Sequence, residues 1–229
     1  MDENFLSKHQ SDQGSFSSDE VNKILRKGME TLSNYREIQG KEALAGRLAS
    51  VVGALDYLFK GEATGKKIID LGSGAGEIKK EDNSNLSFTP VLAQVLQKEG
   101  YDVLAVDKKI KQQDNYLFAC QNLDLADFQP SEIKAEWQDS DAVISTSFLG
   151  EPSDSAGIDS TELIKKISEV APLQIHYLVD GKQPFLENIL DNEKLEQAGF
   201  EVLYNFTNHQ DDDWVQPLLV IKKKQTVEE

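Results

Sequence analysis

The hydrophobic positions along the chain change their period part way through. From Ser17 to Tyr35, residues Val21, Ile24, Leu25, Met29 and Leu32 recur at helical spacing behind Ser17 or Ser18, either of which serves as an N-cap. In GKEALAGRLASVVGALDYLFKG, residues Leu44, Leu48, Val51, Val52, Leu55 and Leu58 make a second helical stripe, and Gly61 supplies a stop. After Gly65 short apolar runs alternate with helical stretches. The runs KKIIDL (66–71), DVLAVD (102–107), YLFACQ (116–121), DAVIST (141–146), LQIHYLVD (173–180), EVLYNFT (201–207) and PLLVIKK (217–223) predict seven strands. Helices are expected near Thr89 to Glu99, Ser131 to Trp137, Ser160 to Val170 and Pro184 to Ala198. The link between the last two strands, NHQDDDW, has no helical pattern and predicts an antiparallel hairpin.

This order predicts an α/β fold: a seven-stranded, mostly parallel sheet with helices on both faces, an antiparallel last strand, and N-terminal helices. Residues 1–62 read as a disordered start followed by a helical extension or lid, and residues 63–229 as a single Rossmann-like domain. The helices could equally pack on the sheet or make a dimer contact, so the oligomeric state stays open.

Charge narrows the partners. Forty acidic residues against 24 basic ones give a net charge of -16, which opposes binding to a phosphate backbone. The basic runs are short and scattered, so nucleic acid is not expected as a partner. A single cysteine, Cys120, forbids an intramolecular disulfide. The start of the chain lacks a basic, then apolar, leader and no apolar run reaches membrane-spanning length, so a cytoplasmic protein without a membrane partner is expected.

Chemistry concentrates in IIDLGSGAGEIKKEDNSNLSFTP. Gly72, Gly74 and Gly76 alternate with Ser73 and Ala75, so side chains would not block a ligand lying across the turn. The dinucleotide pattern G-x-G-x-x-G fails at its third glycine, where Glu77 stands and would face a pyrophosphate. An NAD-dependent oxidoreductase is disfavoured on that ground. Asp70, just before the glycines, suits a ligand that carries a positive group such as an ammonium.

The stretch IIDLGSGAG resembles the first motif of class I S-adenosylmethionine-dependent methyltransferases, and the resemblance spans roughly Gly65 to Lys223. The family's fold, a seven-stranded sheet with an antiparallel final strand, is similar to the predicted order. The resemblance implies S-adenosylmethionine as cofactor and a small molecule or a protein side chain as methyl acceptor. It implies that the backbone of Gly72, Ser73, Gly74 and Gly76 passes under the methionine and ribose, with Asp70 supporting the loop or the amino group. Asp107, at the tip of VLAVD, takes the place of the acid that accepts both ribose hydroxyls. In QNLDLADF, Asp124 takes the place of the acid against the adenine amino group, with Leu125 offering its backbone and Asp127 as the alternative.

The chain departs from the family in three places. EIKKEDNSNLSF (77–88) lengthens the first connection, either as a polar flap over the pocket or as a loop whose glycines have left the helix N-terminus. Thr89 and Pro90 then read as an N-cap and first helical position. The link between Asp107 and Asp124 is short, and the fourth strand lacks the Pro-Pro and aromatic signature of enzymes that methylate amide or base nitrogens. Ser145, Thr146, Ser147 and Phe148 still stand at the substrate end of the sheet, with their hydroxyls expected on loop backbone. Methyl transfer gains chiefly from alignment, so a base is not obligatory; Glu151 and Asp180 are the catalytic candidates by position. His9 and His209 read as tail and turn residues, His176 as a packed strand residue. The run Asp211 to Asp213 reads as solvated, and no metal site is expected. A non-catalytic relative that kept the fold for a binding or regulatory role is the alternative.

Overall fold

The computed structural model describes residues 15–35, 42–74, 76–79, 85–88, 90–125, 128–146, 160–177, 192–205 and 218–224. Two helices come first, α1 (Ser18–Ser33) and α2 (Glu42–Leu58). Then follow β1 (Lys67–Leu71), β2 (Gly76–Lys79), β3 (Asn85–Phe88), α3 (Val91–Lys98), β4 (Asp102–Asp107) and β5 (Ala119–Asn122). The remainder is β6 (Ala142–Ser145), α4 (Ser160–Ile167), β7 (Leu173–Tyr177), α5 (Asn192–Gln197), β8 (Phe200–Asn205) and β9 (Leu218–Lys223).

Seven strands form one sheet in the order β5-β4-β1-β6-β7-β9-β8. The pairs among β5, β4, β1, β6 and β7 are parallel, and β9 runs antiparallel to both β7 and β8. This is the predicted α/β arrangement, including the antiparallel last strand. β1 stands between β4 and β6, and the chain leaves it toward β4 but later leaves β6 toward β7. Opposed connections from neighbouring strands open a crevice at their carboxyl ends, the usual ligand position in such sheets.

Alternation along the strands divides the core in two. Ile68, Val103, Ala105, Ile144, Ile175 and Val220 share one apolar cluster with Ile24 of α1, with Leu48, Val51 and Leu55 of α2, and with Leu92 and Leu96 of α3. Ile69, Leu71, Leu104, Val106, Val143 and Leu219 point the other way, into a cluster with Leu163, Ile164 and Ile167 of α4 and Leu195 of α5. Period-2 burial on both faces is what a parallel sheet covered by helices requires. Helix α1 begins at Ser17, whose side chain caps the Glu20 N–H while the Glu20 carboxylate accepts the Ser17 N–H. At the edge, the Val202 and Leu203 carbonyls of β8 accept the N–H groups of Ser15 and Phe16, which partly covers an otherwise open strand.

Four expectations are corrected. Within 77–88, expected as a polar flap or a loop, the described residues are strands: β2 and β3 pair antiparallel with Glu77 opposite Ser87. Residues 131–137 form two short 3₁₀ turns, Pro130–Glu132 and Ala135–Trp137, with Ile133 and Lys134 extended between them. Ile133 and Trp137 are buried, which produced the helical spacing, but the Gln138 amide donates to the carbonyls of Pro130 and Ile133 and fixes the interruption. Pro90 is the N-cap of α3, so the helix starts at Val91, one residue later than expected. Helix α2 ends with Lys60 in the left-handed region at φ 54°: the Lys60 N–H reaches the Tyr57 carbonyl and the Gly61 N–H that of Asp56. The stop therefore begins one residue before Gly61.

Candidate functional site at the carboxyl ends of β1 and β4

Strand β1 delivers Asp70 and Leu71 to the carboxyl edge, and the chain then turns through Gly72 at φ 69°, Ser73 and Gly74 at φ 73°. Positive φ at two of three positions explains the glycines, since a side chain there would be strained. The turn is anchored on β4. The Val106 carbonyl accepts the N–H groups of Gly72 and Ser73 at 2.9 and 3.1 Å. The Gly74 N–H donates to Asp107 Oδ2 at 3.2 Å, and the Lys109 N–H donates to Asp107 Oδ1 at 2.9 Å. Asp107 thus ties the glycine turn to the loop beyond β4. Each carboxylate oxygen has two lone pairs, so each retains one for a further donor.

Asp70 is wholly buried, and neither of its carboxylate oxygens has a hydrogen-bond partner among the described residues. The Ser73 hydroxyl, also buried, shares that condition. Burial, and secondarily the nearby Asp107 charge, raises the Asp70 pKa to about 7. A fully desolvated acid without a donor or cation is costly when ionised, and the proton is its cheapest partner.

On the opposite face, β6 and β7 hold a different polar group. Ser145 and His176 are in register on neighbouring strands, with Ser145 Oγ 2.9 Å from His176 Nδ1. His176 Nε2 lies 3.0 Å from Gln174 Oε1, and the Gln174 amide donates to the Ile164 carbonyl at 2.9 Å. The direction of the chain follows from its end: Gln174 donates to Ile164, so its oxygen faces His176, which donates from Nε2. Nδ1 then accepts from the Ser145 hydroxyl. Burial depresses the His176 pKa to about 3, so the ring is neutral. His176 is packed, as expected; the Ser145 hydroxyl bonds to this ring instead of to loop backbone, because the register places the two side by side. Sequence spacing puts Gln174 and His176 on one face of β7, but only the β6–β7 register brings in Ser145.

The remaining expected positions are dispersed. Gly76 opens β2, paired with Phe88, so the glycine turn passes into the hairpin and not directly into a helix. Asp124 is exposed, beyond the end of β5. Leu125 has a buried side chain packed in the second core cluster, and its carbonyl accepts the Phe128 N–H at 3.4 Å. Asp127, Ser147, Phe148, Glu151, Asp180 and His209 lie outside the described residues. Among the described residues, no group of three or more His, Cys, Asp or Glu side chains is arranged to hold a metal ion.

A separate cavity of about 800 Å³ lies at the other end of the sheet, lined by Leu58, Asp139, Asp141, Glu169, Leu173 and Lys222, among others. Asp141 and Leu173 stand at the amino ends of β6 and β7, away from the glycine turn. The turn, with its unpartnered buried acid, is the better candidate for ligand chemistry.

No family model and no curated protein sequence matches the chain. Solved structures similar to it include the Burkholderia thailandensis 1,6-didemethyltoxoflavin-N1-methyltransferase with bound 1,6-didemethyltoxoflavin and S-adenosylhomocysteine. It is 12% identical, with 92% of each chain covered and a TM-score of 0.47. Another is the MycE methyltransferase of the mycinamycin biosynthetic pathway, in complex with Mg, S-adenosylhomocysteine and mycinamycin VI. It is 13% identical over 89% of this chain and 64% of that one, with a TM-score of 0.48. This chain therefore spans less than two thirds of that protein's length.

Proposed function

We propose that the chain is an S-adenosylmethionine-dependent methyltransferase acting on a small molecule or a protein side chain. The observation that carries this reading is the glycine turn itself: two left-handed glycines anchored on Val106 and Asp107, beside a buried acid without a partner. Asp70 suits an ammonium, the bare backbone of Gly72 and Gly74 suits close approach of a ligand, and the free lone pairs of Asp107 suit a vicinal diol. These are the groups that the methionine and ribose ends of S-adenosylmethionine would present. The group lacking from a dinucleotide site is a helix N-terminus directly behind the glycines, because β2 stands there.

S-adenosylmethionine, when bound, supplies an electrophilic methyl group. The chain's own part is alignment: Asp70, Gly72, Ser73, Gly74 and Asp107 fix the ligand at the carboxyl edge of the sheet. Glu151 and Asp180 remain the proposed groups to take a proton from the acceptor, and Asp124 and Leu125 the proposed adenine contacts.

A second reading, a fold retained for binding or regulation without catalysis, is favoured by one observation. Both oxygens of Asp107 already accept backbone N–H groups, so this acid has a structural task without any ligand. Calorimetric titration separates the possibilities. S-adenosylmethionine and S-adenosylhomocysteine are expected to bind and NAD is not; absence of binding at millimolar concentration removes the enzyme reading. Asp107→Ala is expected to weaken S-adenosylhomocysteine at least about tenfold, on the scale of hydrogen bonds to a charged group. An unchanged affinity would remove the ribose assignment.

A further inference from the structure

The methyltransferase reading assigns Asp70 a contact but not a charge state, and the structure bears on the charge state. Both of its oxygens are buried, and its two register neighbours on the adjacent strands, Ala105 of β4 and Ile144 of β6, are apolar. The charged group that acts on it from β4 is Asp107, a second carboxylate of the same sign. From α2, the side chains in the same core cluster are Leu48, Val51, Val52 and Leu55, while the Arg47 guanidinium lies over the Tyr177 ring, 5.9 Å from its centroid. From α3 the cluster receives Leu92, Ala93, Val95 and Leu96. The turn adds the Ser73 hydroxyl, unpartnered among the described residues. Among those residues, then, no cation faces Asp70, and the one charge near it is repulsive.

We propose that Asp70 is the charge-reading group of the site: it holds a proton until a ligand brings a cationic group to the glycine turn, and then releases that proton to solvent as the ion pair forms. The inference rests on the methyltransferase reading for the identity of the ligand and deepens it by specifying the ligand's local charge and the accompanying proton. The balance is simple. The carboxyl O–H breaks, the proton leaves to buffer, and the ammonium of the ligand keeps its own protons and becomes the counter-charge. Direction follows from burial, which raises the Asp70 pKa to about 7, against the 3.8 of an ordinary aspartate. A ligand without the cation leaves the acid neutral and moves no proton. Selectivity for a cationic group thus comes with a built-in pH dependence: such a ligand binds more tightly as pH rises toward and past 7, while a neutral nucleoside does not.

The test is calorimetry on the full chain in buffers of different ionisation enthalpy, between pH 5.5 and 8. S-adenosylhomocysteine serves as the ligand with an ammonium and 5′-methylthioadenosine as the nucleoside without one. Wild-type protein is expected to release close to one proton on binding S-adenosylhomocysteine at pH 6, falling toward zero near pH 8, with affinity rising about tenfold per pH unit over the lower part of the range. Methylthioadenosine is expected to release none. Asp70→Asn, which keeps the shape and removes the titration, is expected to abolish the release. Binding of S-adenosylhomocysteine without proton release, or release that survives in Asp70→Asn, overturns the inference and leaves the methyltransferase reading standing. Failure of both ligands to bind overturns the methyltransferase reading and this inference with it.

Discussion

Asp70 and His176 are both fully buried, and burial penalises the charged form of each, in opposite directions on the pH scale. For Asp70 the folded pKa, about 7, lies above the unfolded value of 3.8. The folded state binds the extra proton between these values, so the contribution to stability is fully present below pH 3.8 and is lost as pH rises through 7. Asp70→Asn is therefore expected to match wild type near pH 4 and to exceed its Tm by several degrees at pH 8, which thermal denaturation across that range checks. For His176 the folded pKa, about 3, lies below the unfolded 6.5, so the unfolded state takes up the proton first. Its contribution is present above pH 6.5 and is lost as pH falls from there toward 3, by up to about 1.4 kcal/mol per pH unit. His176→Ala is expected to cost about 2–4 kcal/mol at pH 7, because it leaves the buried Ser145 hydroxyl and the Gln174 amide oxygen without this partner, and to flatten the acid side of the profile. Urea denaturation at pH 7 and pH 5 measures both effects. Neither residue's state was legible in the sequence: IIDLG and LQIHY identify an acid and an imidazole in strands, but desolvation is a property of neighbours distant in the chain.

Between elements, α1 and α2 cross with their backbones in contact. A Cβ built on Gly28 would lie 1.9 Å from the Ala49 carbonyl oxygen, and one on Gly53 would lie 1.9 Å from that of Ile24. Backbone stands on the far side of both contacts, so no flexible side chain can yield. Gly28→Ala or Gly53→Ala must push the helices apart, with an expected loss of about 2 kcal/mol or more despite alanine's better helix propensity. Circular dichroism melts check this; an increase in Tm for either variant would overturn the described crossing. The apolar stripes predicted both helices, but what stands against Gly28 and Gly53 is decided by how the helices cross. The same limit applies to 77–88. Its polar composition marked an insertion, whereas the pairing of Gly76–Lys79 with Asn85–Phe88 is a matter of register between two short runs.

For the molecule as a whole, a net charge of -16 means that folding gathers like charges, against which Lys66 and Asp141, 3.0 Å apart, form one ion pair. Repulsion of this kind is screened by salt, so the Tm is expected to rise by a few degrees between 10 and 200 mM NaCl, measured at fixed pH. A fall in Tm would mean that favourable pairs outweigh the repulsion. The sequence by itself determined the seven strands of the main sheet, the helices α1 to α4 and the turn: side-chain period is local, so these elements and the alternating glycines after Asp70 are written in consecutive residues. It also determined that β9 returns antiparallel, because NHQDDDW leaves no helix for a crossover. Tertiary structure alone decided the order β5-β4-β1-β6-β7-β9-β8, the meeting of Ser145 with His176, and the difference between buried Asp70 and the Asp107 that ties two loops. The physical reason is common to all three: burial and pairing are set by which segments become neighbours, and neighbours across a sheet are chosen by the fold and not by spacing along the chain.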